Sequence, residues 1–387
     1  MTSIHETAYP RFKPDLTQRE LDEIYTPNET EQRFARRLGR SNASRLYLMI
    51  LLKTVQRLGY FPMVADVPPS IVSFVTKALG LKLVPLCALV EEEKSRSRRD
   101  FIDAIRAHLK IHPITKDTDK AIELAATQAA QTKQELADII NVIIEELIRQ
   151  RYELPAFSRL NRTAFRIRNQ VNELYYHTLT DPLPAAVTSQ FDAMLTLSAG
   201  QLVTGWQQIK QDPKKPTNTE VRQYLERVKW LKSWACELPQ VDHIPVVKRG
   251  QYVYEARALD AADLKAMQQN KRYALMVLLF HAQLSKALDD AVDIFVRKMR
   301  KLHSGALEQL QLYYQEHQKR AEKLVSQLRD VLEAFQEGET DQDRGKRIAG
   351  AMHDNPEKLL AECEEHMAYA GNNYLPFMLV PYQTQRP

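Results

Sequence analysis

Glycine is scarce in this chain: 11 of 387 residues, where about 7% is usual. Glycine is the residue that takes the left-handed and bulged backbone conformations of tight turns. A long chain with few of them has few turns, which favours long helices over short strands joined by hairpins. Many of the prolines agree, falling between candidate helices at Pro68-Pro69, Pro182, Pro184, Pro213 and Pro216, where a missing N–H does no harm. The sequence predicts an all-α fold, long enough for two or three domains.

Capping signals mark the elements. Thr17 with Glu20 is a capping box and opens a first helix. Thr26-Pro27-Asn28-Glu29 reads as an N-cap followed by proline at the first helical position. That helix should run to Leu38, with Gly39 as a left-handed stop. Ser41 or Asn42 caps the next, which should reach Leu58 before Gly59 ends it. Two helices joined by a short Gly-containing turn match a helix-turn-helix. Further helices are expected at 69–79, 98–109, 119–130, 133–149, 162–178 and 185–197, and from a capping box at Thr217 and Glu220 to about 237. Residues 241–255, with Gly250 as the turn, are the one candidate β-hairpin. Long helices should occupy 260–302, with room for one break, and 304–336. The acid-rich stretch 333–343 reads as a flexible linker before two shorter helices.

The net charge is only +5, but it is unevenly spread. Residues 33–57 hold Arg33, Arg36, Arg37, Arg40, Arg45, Lys53 and Arg57 with no acid, a net +7. Residues 149–172 hold six arginines against Glu153, a net +5, so the rest of the chain is −7. Localised positive charge of this kind fits phosphate-binding patches. On the helix at 162–178, Ala164, Ile167, Val171, Leu174, Tyr175 and Thr178 share one side at the helical period. Arg162, Arg166, Asn169 and Glu173 lie opposite, flanked by Phe165 and Tyr176. Such a face suits a major groove, where arginine bonds guanine edges or phosphates and asparagine reads adenine. Arg159 and Asn161, at the helix start, are placed for backbone contacts. The alternative is an ordinary solvated face.

The helix at 42–58 is more apolar, with Asn42, Arg45, Lys53, Gln56 and Arg57 as its polar strip and Arg36, Arg37, Arg40 and Ser41 just ahead of it. DNA contact competes there with a core helix that has a basic rim. A third cluster, Lys94, Arg96, Arg98 and Arg99, either binds phosphate at a helix start or is an exposed loop. Lys214 and Lys215 sit in a proline-flanked basic loop. Asp289, Asp290 and Asp293 form a tight acidic group, and carboxylates at i and i+4 can share a metal. However, Lys286 is spaced to pair with Asp290 and no further acid is placed near. His108 and His112 lack a third ligand for zinc. Cys87, Cys236 and Cys363 are far apart, which argues against a disulfide framework. There is no apolar signal core or membrane-length run, so a cytoplasmic chain without cofactor is expected.

Four segments, in order, resemble one family, the large transposases of the Tn-three (class II, replicative) transposons. They are Tyr25-Thr26-Pro27-Asn28-Glu29 through Arg40 to Pro62; Leu154-Pro155-Ala156-Phe157-Ser158-Arg159-Leu160-Asn161-Arg162; Lys271-Arg272-Tyr273-Ala274-Leu275 with Ala287-Leu288-Asp289-Asp290-Ala291-Val292-Asp293; and Ala370-Gly371-Asn372-Asn373-Tyr374-Leu375-Pro376-Phe377. The resemblance implies two helix-turn-helix-like DNA-binding domains, at 1–150 and 151–240, then a long-helix linker or scaffold at 241–387. It implies binding of the transposon's terminal inverted repeats, and an Asp-Asp-Glu nuclease in a part of the family's chain not represented here. The aspartates at 289, 290 and 293 then belong to a structural helix. The expected partners are double-stranded DNA and, as a second candidate, another copy of the chain, with no membrane. Two rivals remain: a helical interaction or regulatory module, such as a transposition repressor, and a metal-dependent nuclease.

Overall fold

The computed structural model describes residues 2–82, 84–197, 200, 202–211, 218–352 and 355–384. Among them the fold is all-α, as expected, and the one extended pairing is a parallel bridge between His112 and Tyr152. In chain order the helices are α1 (Gln18–Tyr25), α2 (Glu29–Leu38), α3 (Asn42–Leu58), α4 (Pro69–Ala78), α5 (Leu86–Lys94), α6 (Ser97–Leu109), α7 (Lys116–Ala130), α8 (Leu136–Arg149), α9 (Phe157–Thr180), α10 (Ala185–Met194), α11 (Gly205–Ile209), α12 (Asn218–Glu237), α13 (Val246–Ala258), α14 (Ala261–Ala266), α15 (Gln269–Glu337), α16 (Asp341–Ala351), α17 (Pro356–Ala368) and α18 (Leu375–Thr384). No helix of the described residues is long and apolar enough to cross a membrane.

The chain divides into two compact units, Met1–Gln207 with Leu238–Leu279, and Gln208–Glu237 with Phe280–Pro387. The first unit has two cores. One is centred on α3, which is buried without interruption from Leu46 to Val55, and α1, α2, α4, α5 and α6 pack around it. A helix apolar on all sides belongs in a core. The other core is the trio α7, α8 and α9, where Ile139, Ile140, Ile143 and Ile144 meet Ile122, Ala126, Leu160, Ala164 and Ile167. The expected boundary at 150/151 therefore cuts through a continuous core. The 241–387 segment is likewise divided, since α13 returns to the first unit. Its buried Tyr252 hydroxyl donates to Asn172 at 2.7 Å.

A knot of backbone bonds joins the two cores. Gly59 ends α3 in the left-handed region, with φ of +75°, and its carbonyl accepts from Leu154 N–H at 2.8 Å. His112 N–H donates to the Arg151 carbonyl at 2.8 Å, and Glu153 N–H to the His112 carbonyl at 2.9 Å. The N-terminal segment crosses the same junction. Tyr9 stacks on Tyr60 and its hydroxyl donates to the Pro155 carbonyl at 3.0 Å.

Thr17 and Glu20 form the expected capping box. For α2 the cap is Asn28, reciprocated by Glu31, whereas Thr26 ends α1. Ser41 caps α3. Gly39 is not a left-handed stop, for its φ is −85°. It is glycine because Arg45 lies over it: a Cβ there would stand 2.6 Å from Arg45 Cγ, and Arg45 Nε donates to the Gly39 carbonyl at 3.0 Å. The same corner recurs at Gly338, whose carbonyl accepts from Arg344 Nε at 3.0 Å.

The candidate hairpin at 241–255 is instead mostly helix α13, in which Lys248 and Tyr252 are buried at i and i+4 and Gly250 is exposed. α15 runs on through Ser304 without the expected break. The acidic stretch at 333–343 is a helix end and a helix start, not a flexible linker. Thr340 caps α16, and Asp341 and Asp343 fill its first turn, where the helix dipole favours carboxylates. In the second unit, Trp230, Trp234 and Phe280 cluster between α12 and α15.

Candidate nucleic-acid interface

Helix α2 turns Phe34 and Ala35 into the α3-centred core, which leaves Arg33, Arg36 and Arg37 on its outer surface, and Arg40 follows, exposed, just past its end. Arg33 pairs with Glu29 at 3.0 Å. Arg37 lies 5.9 Å from the Phe34 ring, in cation–π range. Arg36 and Arg40 are exposed and have no ion-pair partner among the described residues. Ser41 and Asn42 follow, both exposed, at the positive end of α3. The Ser41 hydroxyl caps Ser44 N–H at 3.0 Å and donates to Glu92 at 3.4 Å.

That last contact matters for geometry, because it brings the end of α5 against the start of α3. Arg98 continues the join: its Nη1 reaches Glu93 at 2.5 Å and the Tyr47 hydroxyl of α3 at 2.7 Å. Burial pushes the Tyr47 phenol up to about 12, so it remains a neutral acceptor. Arg96 and Arg99, exposed and without an ion-pair partner among the described residues, therefore stand near the first turns of α3, which Arg40 directly precedes in the chain. An exposed basic surface thus borders the start of α3. Beside it, Thr30, Arg33, Phe34, Arg37 and His108 line a shallow depression of about 260 Å³, floored by the Phe34–His108 stack.

Three expected contacts do not belong to this surface. Lys53 is buried, with its Nζ 3.2 Å from the equally buried Glu31. Arg45 is half-buried on Gly39, and Arg98 is held by Glu93 and Tyr47. The body of α3, from Leu46 to Val55, is enclosed, so it cannot enter a groove in the manner of a recognition helix, and only its two ends are presented, Ser41 and Asn42 at one and Gln56 and Arg57 at the other. Glu31 explains the fate of Lys53. Burial raises its carboxyl pKa, but the Gln56 amide, Asn28 N–H and Lys53 together outweigh that, and it lies below the ordinary value.

The second basic surface is on α9, which starts five residues before the expected position. Arg159, Arg162 and Arg166 are exposed as the helical wheel predicts. Arg162 has no ion-pair partner among the described residues. Arg159 and Arg166 do: α7 sets Asp119 2.5 Å from Arg159 and Glu123 2.5 Å from Arg166. Asn161 is buried and its Nδ2 donates to the Thr2 carbonyl at 3.5 Å, so it holds the N-terminal segment and is not a DNA contact. Asn169 is half-buried and accepts from Arg168. The apolar face is also wider and rotated from expectation. Leu174 and Thr178 are exposed, whereas Tyr176 is buried against Tyr252. Helix α9 packs on α13 as well as on α7 and α8, which no helical wheel of α9 alone can show.

Lys214 and Lys215 lie outside the described residues. Asp290 accepts from the Tyr224 hydroxyl at 3.1 Å, Asp293 pairs with Arg297, and Asp289 is exposed. Among the described residues no group of three or more His, Cys, Asp or Glu side chains is arranged to hold a metal ion. The residues that sequence reasoning missed are Asp119 and Glu123. Their i, i+4 spacing is visible in the sequence, but what they face is not.

Comparison with known proteins adds the following. A family described only as a domain of unknown function (DUF4158) matches residues 1–167. The transposase for transposon Tn501 of Pseudomonas aeruginosa is 25% identical over 81% of this chain and 31% of its own length. The transposase for transposon Tn3926 of Escherichia coli is 27% identical over 76% of this chain and 30% of its own. That for transposon Tn1546 of Enterococcus faecium is 19% identical over 74% and 29%. The chain thus spans about a third of the length of the curated relatives it matches.

Proposed function

We propose that this chain serves DNA transposition by binding double-stranded DNA at transposon ends, with no catalysis of its own. The observation that carries the reading is that Arg36, Arg37, Arg40, Arg96 and Arg99 are all exposed and free of ion-pair partners among the described residues, with Arg40, Arg96 and Arg99 near the start of α3. Exposed, unpaired arginines are what a phosphate backbone requires. The first turn of α3 adds the positive end of a helix dipole. In this reading the α3 end grips backbone, while Arg162 and Arg166 on α9 contact base edges or the adjacent backbone. Transposases among the relatives support the same direction.

Fluorescence-anisotropy titration tests it, using a duplex of the inverted repeat that flanks the gene and a shuffled duplex, at several salt concentrations. Each arginine on a phosphate contributes about 0.9 to the slope of log K against log salt. Replacing Arg36, Arg37 and Arg40 together by Ala should lower that slope by about 2.7 and leave the helical signal unchanged. Arg162→Ala with Arg166→Ala should remove the preference for the repeat. Binding that is shallow in salt and indifferent to sequence would replace this reading with a helical protein-interaction module.

A further inference from the structure

The α9 surface faces its own built-in counter-charges. Asp119 and Glu123, one turn apart on α7, meet Arg159 and Arg166, which lie two turns apart on α9 and flank the unpaired Arg162. All four side chains are about half exposed, between 45% and 53%. At that exposure an ion pair is weak and exchangeable. The pairs therefore do little to hold α9 on α7, since the isoleucine core already does so. A phosphate arriving at α9 competes with a carboxylate for each of the two guanidinium groups.

We propose, resting on the DNA-binding reading of α9, that Asp119 and Glu123 are specificity-setting residues that suppress binding to arbitrary duplex. Non-specific affinity is almost wholly phosphate electrostatics. On arbitrary DNA no base contact holds phosphates in register, so Arg159 and Arg166 keep their carboxylates and contribute no counterion release. On the correct site, contacts by Arg162 and its neighbours hold the backbone within reach, and the two arginines exchange carboxylate for phosphate. The carboxylates thus silence two cations except where the sequence is right.

The test is the full chain carrying Asp119→Asn and Glu123→Gln, titrated against repeat and shuffled duplexes across a salt series. The shuffled duplex should bind about tenfold more tightly at moderate salt, with its slope steeper by nearly 2, because two more phosphates are engaged. The repeat slope should change by much less, since those contacts already exist. Circular dichroism and thermal melting check that the variant is folded. If Arg162→Ala weakens repeat binding while the Asn/Gln variant leaves both slopes unchanged, the counter-charge role is wrong and the DNA-binding reading of α9 stands. If neither substitution affects either duplex, α9 is not at the DNA and both fall.

Discussion

Replacing Lys53 by Met separates the sequence reading of that residue from the structural one. Its Nζ sits 3.2 Å from Glu31, with the two side chains only 8% and 4% exposed. Removing the cation leaves a buried carboxylate, and breaking such a pair from one side costs about 3–5 kcal/mol. Glu31 retains the Gln56 amide at 2.8 Å and Asn28 N–H at 2.9 Å, which places the loss at the low end, about 3 kcal/mol. Neutralising the partner as well, with Glu31→Gln, removes the uncompensated charge and keeps a side chain able to close the capping box. The double variant should return to within about 1 kcal/mol of the parent. Hydrogen exchange read on peptides from α2 and α3 localises the effect, since a chain of two compact units makes one global unfolding free energy ill-defined. Protection should fall about a hundredfold in the single variant and recover in the double. Repeat-DNA affinity should be unchanged in both. Loss of DNA affinity with α3 protection intact would put Lys53 on the duplex. A double variant as weak as the single would refute the buried-charge reasoning.

Other substitutions test the framework. Gly59→Ala places a Cβ at φ +75° and 3.0 Å from Leu154 Cδ1, so it should cost about 1–2 kcal/mol and lower the melting temperature. Gly250→Ala, mid-helix with open space around it, should instead stabilise by about 0.5–1 kcal/mol, and a loss there would contradict the helical assignment of α13. Because Glu31 titrates below its ordinary value, its contribution is present at neutral pH and is lost as pH falls below about 4.5 through the depressed value. Exchange protection of α2 should fall with acid, and Glu31→Gln should blunt that fall. Burial, then Arg168, holds Lys248 down at about 8. The unfolded chain binds more protons above that pH, so stability should rise from pH 8 towards 10. Beyond that, buried Tyr176 and Tyr252, with pKa values pushed far up by burial, reverse the trend. Lys248→Met should flatten the rise in a melting series.

The sequence by itself determined the helical class, most helix positions, and where positive charge is concentrated. Those properties are local: glycine scarcity, capping side chains and apolar spacing act within a turn or two of the chain. It also showed correctly that Arg162 and Arg166 face outward, because a helical wheel tells inside from outside. It could not show that Lys53 is neutralised by Glu31, that Arg45 is tied to Gly39, or that Asn161 holds the N-terminus. Nor could it show that residues 246–258 are helical and return to the α7–α9 core. Only the tertiary structure brings Arg96 and Arg99 to the end of α3 and sets the carboxylates of α7 against the arginines of α9. The reason is physical. Whether a charged group meets water, a phosphate or a carboxylate depends on which neighbour lies within about 4 Å, and that neighbour comes from a distant part of the chain.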